Sequence, residues 1–331
     1  MLIRCPPYFT QPTGVVTRGM ALREIQQASG NLGEGLSWTE EFRRALARED
    51  LALTTVRAYH GDLDAFLRWY APNPVAALTV VDLISYRQHL SDERNLKPAS
   101  VNRKLEALRR FCRWAHQQGK LGSNVAAEVK LARPVRGVRP AGLTDAEALG
   151  LLRAAGQSPH GLGKRNYALL QVMLQAGLRV GEVAALRISD VQLRERTGTV
   201  RVRHGKGWKE REVPLNASAR RGVSAYLKSR KAHRAHDPLF CSETGAAISV
   251  RSIQAMVSNL ARRAKITRIP VSAHTTRHTF ALGFLKQNPG KLVELAALLG
   301  HESLDTTAIY TQPSVEEMAE DMERSRLNVD R

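Results

Sequence analysis

The stretch from His274 to Tyr310, HTTRHTFALGFLKQNPGKLVELAALLGHESLDTTAIY, constrains the fold of this chain more than any other. His274 and Arg277 stand three residues apart on a helix-like run, so both project from one helical face. Thr276 and His278 fall outside that face, and His278 is expected to pack or cap locally. An apolar helix over Lys291–Leu299 ends at Gly300, whose turn carries His301. Asp305 or Thr306 then caps a short helix that presents Tyr310. Short helices joined by tight turns, with polar side chains at the junctions, are what this pattern allows.

The same logic applies upstream. In QAGLRVGEVAAL, Gly177 ends one helix in a left-handed cap and Val180–Leu186 begins the next, so Arg179 lies at a tight junction. Glu182, three residues on, is placed to orient the Arg179 guanidinium. Thr199–His204 (TVRVRH) alternates apolar and polar residues, and Trp208–Leu215 (WKEREVPL) forms the partner arm. Gly205 and Gly207 flank Lys206, which puts Lys206 at the tip of a β-hairpin, with Lys209 as its rival on the same turn.

At 331 residues the chain exceeds the about 250–300 residues at which single cores stop growing, so two domains are expected. Residues 1–36 mix Pro, Gly, Thr and Ser without periodicity and read as a flexible N-terminal arm. Helical patterns fill 37–132. Val56, Tyr59, Leu63, Phe66, Leu67 and Tyr70 form one stripe, and a further helix spans Thr79–Ser91. The strongest helix starts near Pro98 and Ser100 and stops at Gly119. Its buried stripe is Val101, Leu105, Leu108, Phe111, Cys112 and Ala115, with Arg103, Arg109, Arg110 and Arg113 largely off it. Residues 133–140 (RPVRGVRP) carry Arg133, Arg136 and Arg139 and read as an extended basic linker. A second, mainly helical domain with a small antiparallel sheet occupies 141–331. Thr144 and Glu147 stand at its start in capping-box spacing. Near its end, Val315–Asn328 is a further helical candidate.

Charge narrows the partners. The net +19 and pI near 10.5 favour a polyanion, and the basic excess is spread over both halves. Two domains gripping one duplex fit that spread, with the arginines of 98–119 and 133–140 as DNA contacts. No apolar run approaches the ~18–20 residues of a membrane span, and residues 1–20 lack the apolar core of a signal peptide. Cys5, Cys112 and Cys241 are odd in number and far apart, which disfavours a disulfide framework or a zinc ribbon and fits a reducing cytoplasm. No P-loop occurs, so nothing points to ATP. His274 and His278 are i and i+4, yet Thr-Thr-Arg lies between them and the arginine opposes a cation, so no metal is expected. No cofactor is implied.

Two arginines, a lysine, two histidines and a tyrosine suit transesterification of a phosphodiester without a metal. A tyrosine hydroxyl, with pKa near 10, is ionised about once in a thousand at pH 7, a deficit of about 4 kcal/mol that nearby cations would have to offset. Arg179 and Arg277 could do so while clamping the nonbridging oxygens with planar forks. Lys206 could protonate the leaving 5′-oxygen.

In order and spacing, AGLRVGE, the glycine-flanked Lys206, HTTR, LLGH and Tyr310 resemble the tyrosine recombinase (phage integrase) family. The resemblance covers about residues 37–315. It implies an N-terminal helical core-binding domain followed by an integrase-type catalytic domain of α+β class. Carried over position by position, the catalytic set falls on Arg179, Lys206, His274, Arg277, His301 and Tyr310, with Glu182 in support. It further implies double-stranded DNA bearing paired inverted-repeat sites, a homotetramer on that DNA, strand exchange through a Holliday junction, and accessory proteins as further partners. Val315–Asn328 would be the helix that docks on a neighbouring subunit. A 36-residue arm is short for the extra DNA-binding domain of large phage integrases, so the chain looks more like the two-domain Xer-like or transposon-borne recombinases. A type IB topoisomerase shares the tyrosine chemistry but relaxes DNA without synapsis. A non-catalytic DNA-binding protein is opposed by the presence of Tyr310 with both arginines.

Overall fold

The computed structural model describes residues 37–49, 51, 53–132, 139–159, 161–203, 210–230, 234–301, 303–313, 318–319 and 322–324. The chain divides into two compact units, Met1–Arg136 and Gly137–Arg331.

The first unit is helical. Helix α1 covers 37–46, followed by α2 (Leu53–Tyr70), α3 (Val80–Gln88) and α4 (Pro98–Gln117). Thr79 caps α3 in a reciprocal capping box with Asp82, and a wider turn over His89–Glu93 extends that helix. Pro98 sits in the first turn of α4, where its missing N–H costs nothing. Gly119, at φ +68°, takes the left-handed conformation just beyond its end. The predicted stripe of α4 is buried without exception, against Phe42, Leu63 and Phe66. Phe66 stacks on Tyr70 and meets Tyr86 edge-on at 5.0 Å, which ties α2 to α3.

The second unit is mainly helical around one small sheet. Helices α5 (Asp145–Gly156), α6 (Gly163–Ala176) and α7 (Val180–Ala185) precede strands β1 (Val191–Leu193), β2 (Gly198–Val202) and β3 (Arg211–Pro214). Helices α8 (Ala217–Ser229), α9 (Val250–Arg263), α10 (Ala273–Gln287), α11 (Leu292–Leu299) and α12 (Asp305–Ala308) follow. The sheet is antiparallel in the order β1-β2-β3, with Val200 opposite Val213. Val200, Val202 and Val213 face the core on alternate positions, as a half-buried sheet requires. Helix α6 is buried nearly all round and is covered by α5, α8 and α10. Thr144 and Glu147 form the predicted capping box at α5.

A separate apolar cluster gathers Ala281, Leu295, Leu299 and Tyr310, with Phe280, Phe284 and Ile309 against it. It joins α10, α11 and the chain after α12, and it holds Tyr310 only 4% exposed. The cap of α12 differs from expectation. Neither Asp305 nor Thr306 caps it; Ser303 Oγ accepts from the Asp305 N–H at 3.1 Å, so the helix opens one residue earlier than a side-chain cap at Asp305 requires. Most of Val315–Asn328 lies outside the described residues.

Candidate active site

Arg277 is buried, only 4% exposed. Its Nη1 donates to Gly177 O at 2.6 Å, and its Nη2 donates to Leu299 O at 2.7 Å. Gly177 closes α6 at φ +61° and Gly300 closes α11 at φ +64°. Both ends leave carbonyls without intrahelical partners, and the guanidinium satisfies one at each. Glycine is required at 177 for a second reason: a Cβ there would stand 2.3 Å from the Phe280 ring of α10. Burial, and then the charge of Arg179, pulls the Arg277 pKa down to about 10, which still leaves it a cation at neutral pH.

Arg179 precedes α7. Its backbone N–H and Nη1 donate to the two oxygens of Glu182 at 2.8 and 3.0 Å, and its Nη2 donates to Gly300 O at 3.1 Å. Its side chain is 34% exposed, so one edge of the guanidinium remains open. Glu182 also receives Nη1 and Nη2 of Arg211 at 3.0 and 2.8 Å, while Arg211 Nε donates to Leu298 O. Arg211, at the start of β3, was not among the residues expected here. Its sequence signal is indirect: a buried Glu182 needs more than one partner, and β3 supplies it. Burial alone would raise the Glu182 pKa, but the Arg211 hydrogen bonds and charge, aided by Arg179, bring it below the ordinary value.

His301 receives the third Arg277 bond, Nη2 to Nε2 at 2.9 Å, and its Nδ1 lies 2.8 Å from Thr307 Oγ1. A guanidinium only donates, so Nε2 accepts and the ring proton sits on Nδ1, donated to Thr307. Burial first, and Arg277 and Arg179 next, lower the His301 pKa to about 4. The ring is therefore neutral at pH 7.

Tyr310 Oη is hydrogen-bonded to His278 Nδ1 at 2.9 Å, with ring centroids 5.7 Å apart. This corrects the expectation that His278 packs or caps locally. As the i+4 neighbour of His274 it turns to the same side of α10, and the spacing itself carried that signal. His274 is exposed and stacks on His278 at 6.4 Å between centroids. Arg277 and Arg179 both draw the Tyr310 pKa downward, as anticipated, but burial outweighs them and the net shift is upward. The cations alone do not ionise this phenol.

The remaining sequence-predicted positions are dispersed. Lys206 lies outside the described residues, as do Arg133 and Arg136; Arg139 is half-buried. On α4, Arg103 and Lys104 pair with the buried Asp62 of α2, Arg109 binds Glu106 and Val129 O, and Arg110 pairs with Glu49. Arg113 is exposed. The helix thus spends three of its four arginines on partners within its own unit: Arg103 and Arg110 on acids distant in sequence, Arg109 on its helical neighbour Glu106 and a backbone carbonyl.

Comparison with known proteins agrees with this architecture. Residues 142–317 match the phage integrase family, and residues 39–119 match the phage integrase N-terminal SAM-like domain. The tyrosine recombinase XerC of Xanthomonas campestris pv. campestris (strain B100) is 32% identical over 287 residues, 86% of each chain. The tyrosine recombinase XerD of Ralstonia nicotianae is 31% identical over 284 residues, 84% of this chain and 90% of that one. Among solved structures, the XerH site-specific recombinase bound to palindromic difH substrate in a post-cleavage complex superposes with a TM-score of 0.69. Its identity is 21%, with 82% of this chain and 80% of that one covered. Matched along both units, the chain belongs to the phage integrase family of tyrosine recombinases.

Proposed function

We propose that this protein recombines DNA at specific sites by metal-free strand cleavage and rejoining, with Tyr310 as the nucleophile. The observation that carries the reading is a charge imbalance beside that tyrosine. Arg179, Arg211 and Arg277 meet one carboxylate, Glu182, among the described residues. Like charges so close need an anion, and a phosphodiester supplies one with two nonbridging oxygens.

In this mechanism Arg179 and Arg277 bind the nonbridging oxygens and stabilise the charge that develops on them. Glu182 and Arg211 fix Arg179, and neutral His301, held by Thr307, fixes Arg277. Tyr310 Oη attacks phosphorus, the P–O5′ bond breaks, and the 5′-oxygen takes a proton, a role assigned to Lys206. The product is a 3′-phosphotyrosyl link with a free 5′-hydroxyl. It conserves the bond energy and reverses when another 5′-hydroxyl attacks. His274, exposed on the same helix as Arg277, is assigned a further contact to a phosphate oxygen.

The substrate is double-stranded DNA with paired inverted-repeat sites, and the assembly is a homotetramer that exchanges strands through a Holliday junction in the cytoplasm, on the nucleoid. Xer recombinases as relatives, together with the net charge of +19, support this reading. A duplex nicked beside the cleavage point, incubated with the protein and resolved under denaturing conditions, tests it through the covalent adduct.

A further inference from the structure

Helix α8 carries a basic face that the chemistry at Tyr310 does not use. Two clefts of about 330 and 380 Å³ lie along it, and Arg221 lines both. Lys164 and Ser218 line the first. Arg194 and Arg220 line the second, where Glu195 is the one carboxylate in either lining. Lys164, Arg194 and Arg221 are exposed, and among the described residues no carboxylate pairs with them or with Arg220. Arg220 is held in place without being neutralised. Its side chain lies against Gly198, where a Cβ would stand 2.7 Å from its Cδ. Its Nη1 and Nη2 donate to Leu215 O and Glu195 O at 3.0 and 3.4 Å.

This face stands away from the candidate active site. Lys164 is in the first turn of α6, whereas Gly177, whose carbonyl binds Arg277, closes that helix at its other end. At 1.5 Å per residue the two are about 20 Å apart. Arg194 lies in the turn that joins β1 to β2, and Arg211 pairs with Val202 at the opposite end of β2. A phosphate bound by Arg179 and Arg277 therefore leaves the cations of the α8 face uncompensated.

We propose that the α8 face is a second contact for duplex DNA, holding phosphates outside the cleavage site through Lys164, Arg194, Arg220 and Arg221. The inference goes beyond the recombinase reading and shares with it only DNA as the partner. Two observations favour DNA over an acidic protein. Among the described residues, none of the exposed large apolar side chains lies on α8 or on the β1–β2 turn. A protein interface needs an apolar centre, whereas a phosphate backbone is held by cations and N–H groups alone. The first cleft is also lined by Gly156, Gly163, Gly222 and Ala225, so small residues leave it open to close approach. Three of the four cations are arginines, whose planar fork matches phosphate oxygens. The bound segment is either the flank of the cleaved duplex or a second duplex, and both present the same phosphates.

The test combines Lys164→Ala, Arg194→Ala and Arg221→Ala, three exposed positions outside the catalytic set, and leaves the anchored Arg220 in place. On a long random-sequence duplex, the log–log salt dependence of binding should flatten by about 2–3 units, at roughly 0.9 per lost phosphate contact. The rate of adduct formation on a short nicked duplex should equal that of the wild type. The purified wild-type adduct, its catalytic site already filled, should then capture a labelled random-sequence duplex, and the adduct of the triple variant should not. Lengthening the arms of the adduct's own duplex identifies the source: loss of capture assigns the face to the flank, and retained capture assigns it to a second duplex. An unchanged salt slope, or equal capture by the variant's adduct, would overturn the proposal. Capture of polyglutamate without capture of duplex would also overturn it and give the face to an acidic protein. Arg194→Lys with Arg221→Lys keeps the charge and should keep the slope. If the wild type forms no adduct, the recombinase reading fails, while the salt slope still decides the role of this face.

Discussion

Arg211 and Glu182 form a two-bonded ion pair at 3.0 and 2.8 Å, and through it a β-strand holds the carboxylate that orients Arg179. Glu182 is 6% exposed, so its removal strands two guanidiniums against each other. Glu182→Ala should cost about 3–5 kcal/mol of stability, as breaking one side of a buried pair does. Its pKa is lowered overall, so the contribution is present above the ordinary carboxylate value and fades as pH falls through the lowered one. Urea unfolding across acid pH should show that loss in the wild type and not in Glu182→Gln.

His301 predicts a second dependence on pH, with the opposite cause. Its folded pKa of about 4 lies below the unfolded 6.5, so between those values the unfolded chain binds more protons. Stability should therefore fall as pH drops from about 6.5 toward 4. Melting temperatures of the wild type should decline more steeply over that window than those of His301→Gln. Parallel declines would mean that Arg277 does not hold His301 neutral.

Arg277→Lys should be nearly as damaging as Arg277→Ala. A single ammonium cannot reach Gly177 O, Leu299 O and His301 together, nor offer a planar fork to phosphate. The loss should appear in the rate of adduct formation, by about 10²-fold or more, with duplex affinity little changed. Full activity in the Lys variant would show that positive charge alone suffices.

The arginines of α4 should separate into two kinds. Arg103→Ala leaves the buried Asp62 with Lys104 alone and should lower stability by about 1–3 kcal/mol. Arg113, exposed, should leave stability within about 0.5 kcal/mol when changed to alanine, and should reduce discrimination between target and random duplex if α4 enters the major groove. Melting curves and binding titrations at several salt concentrations distinguish the two effects.

The helices were legible because their signals are local. The α4 stripe, the Thr144–Glu147 box, the left-handed Gly177 and the turn at Gly300 are read from residues within one or two turns. Arg179 with Glu182 was legible for the same reason, lying three residues apart. Arg211 was not, since its partners Glu182 and Leu298 are distant in sequence and only the folded sheet brings them together. His278 was misread because its partner, Tyr310, is 32 positions away and a helical wheel gives a face but not what covers it. The α4 arginines were read as a free basic face because Glu49 and Asp62, which neutralise two of them, come from other elements.

The central claim is that the Tyr310 hydroxyl becomes the covalent link to DNA. Tyr310→Phe removes one oxygen from a side chain already packed among Ala281, Leu295 and Leu299, so the fold and duplex binding should survive. On a duplex nicked beside the cleavage point, the wild type should accumulate a denaturation-resistant 3′-linked adduct and the Phe variant none. An adduct of undiminished yield in the Phe variant would contradict the account and place the nucleophile elsewhere.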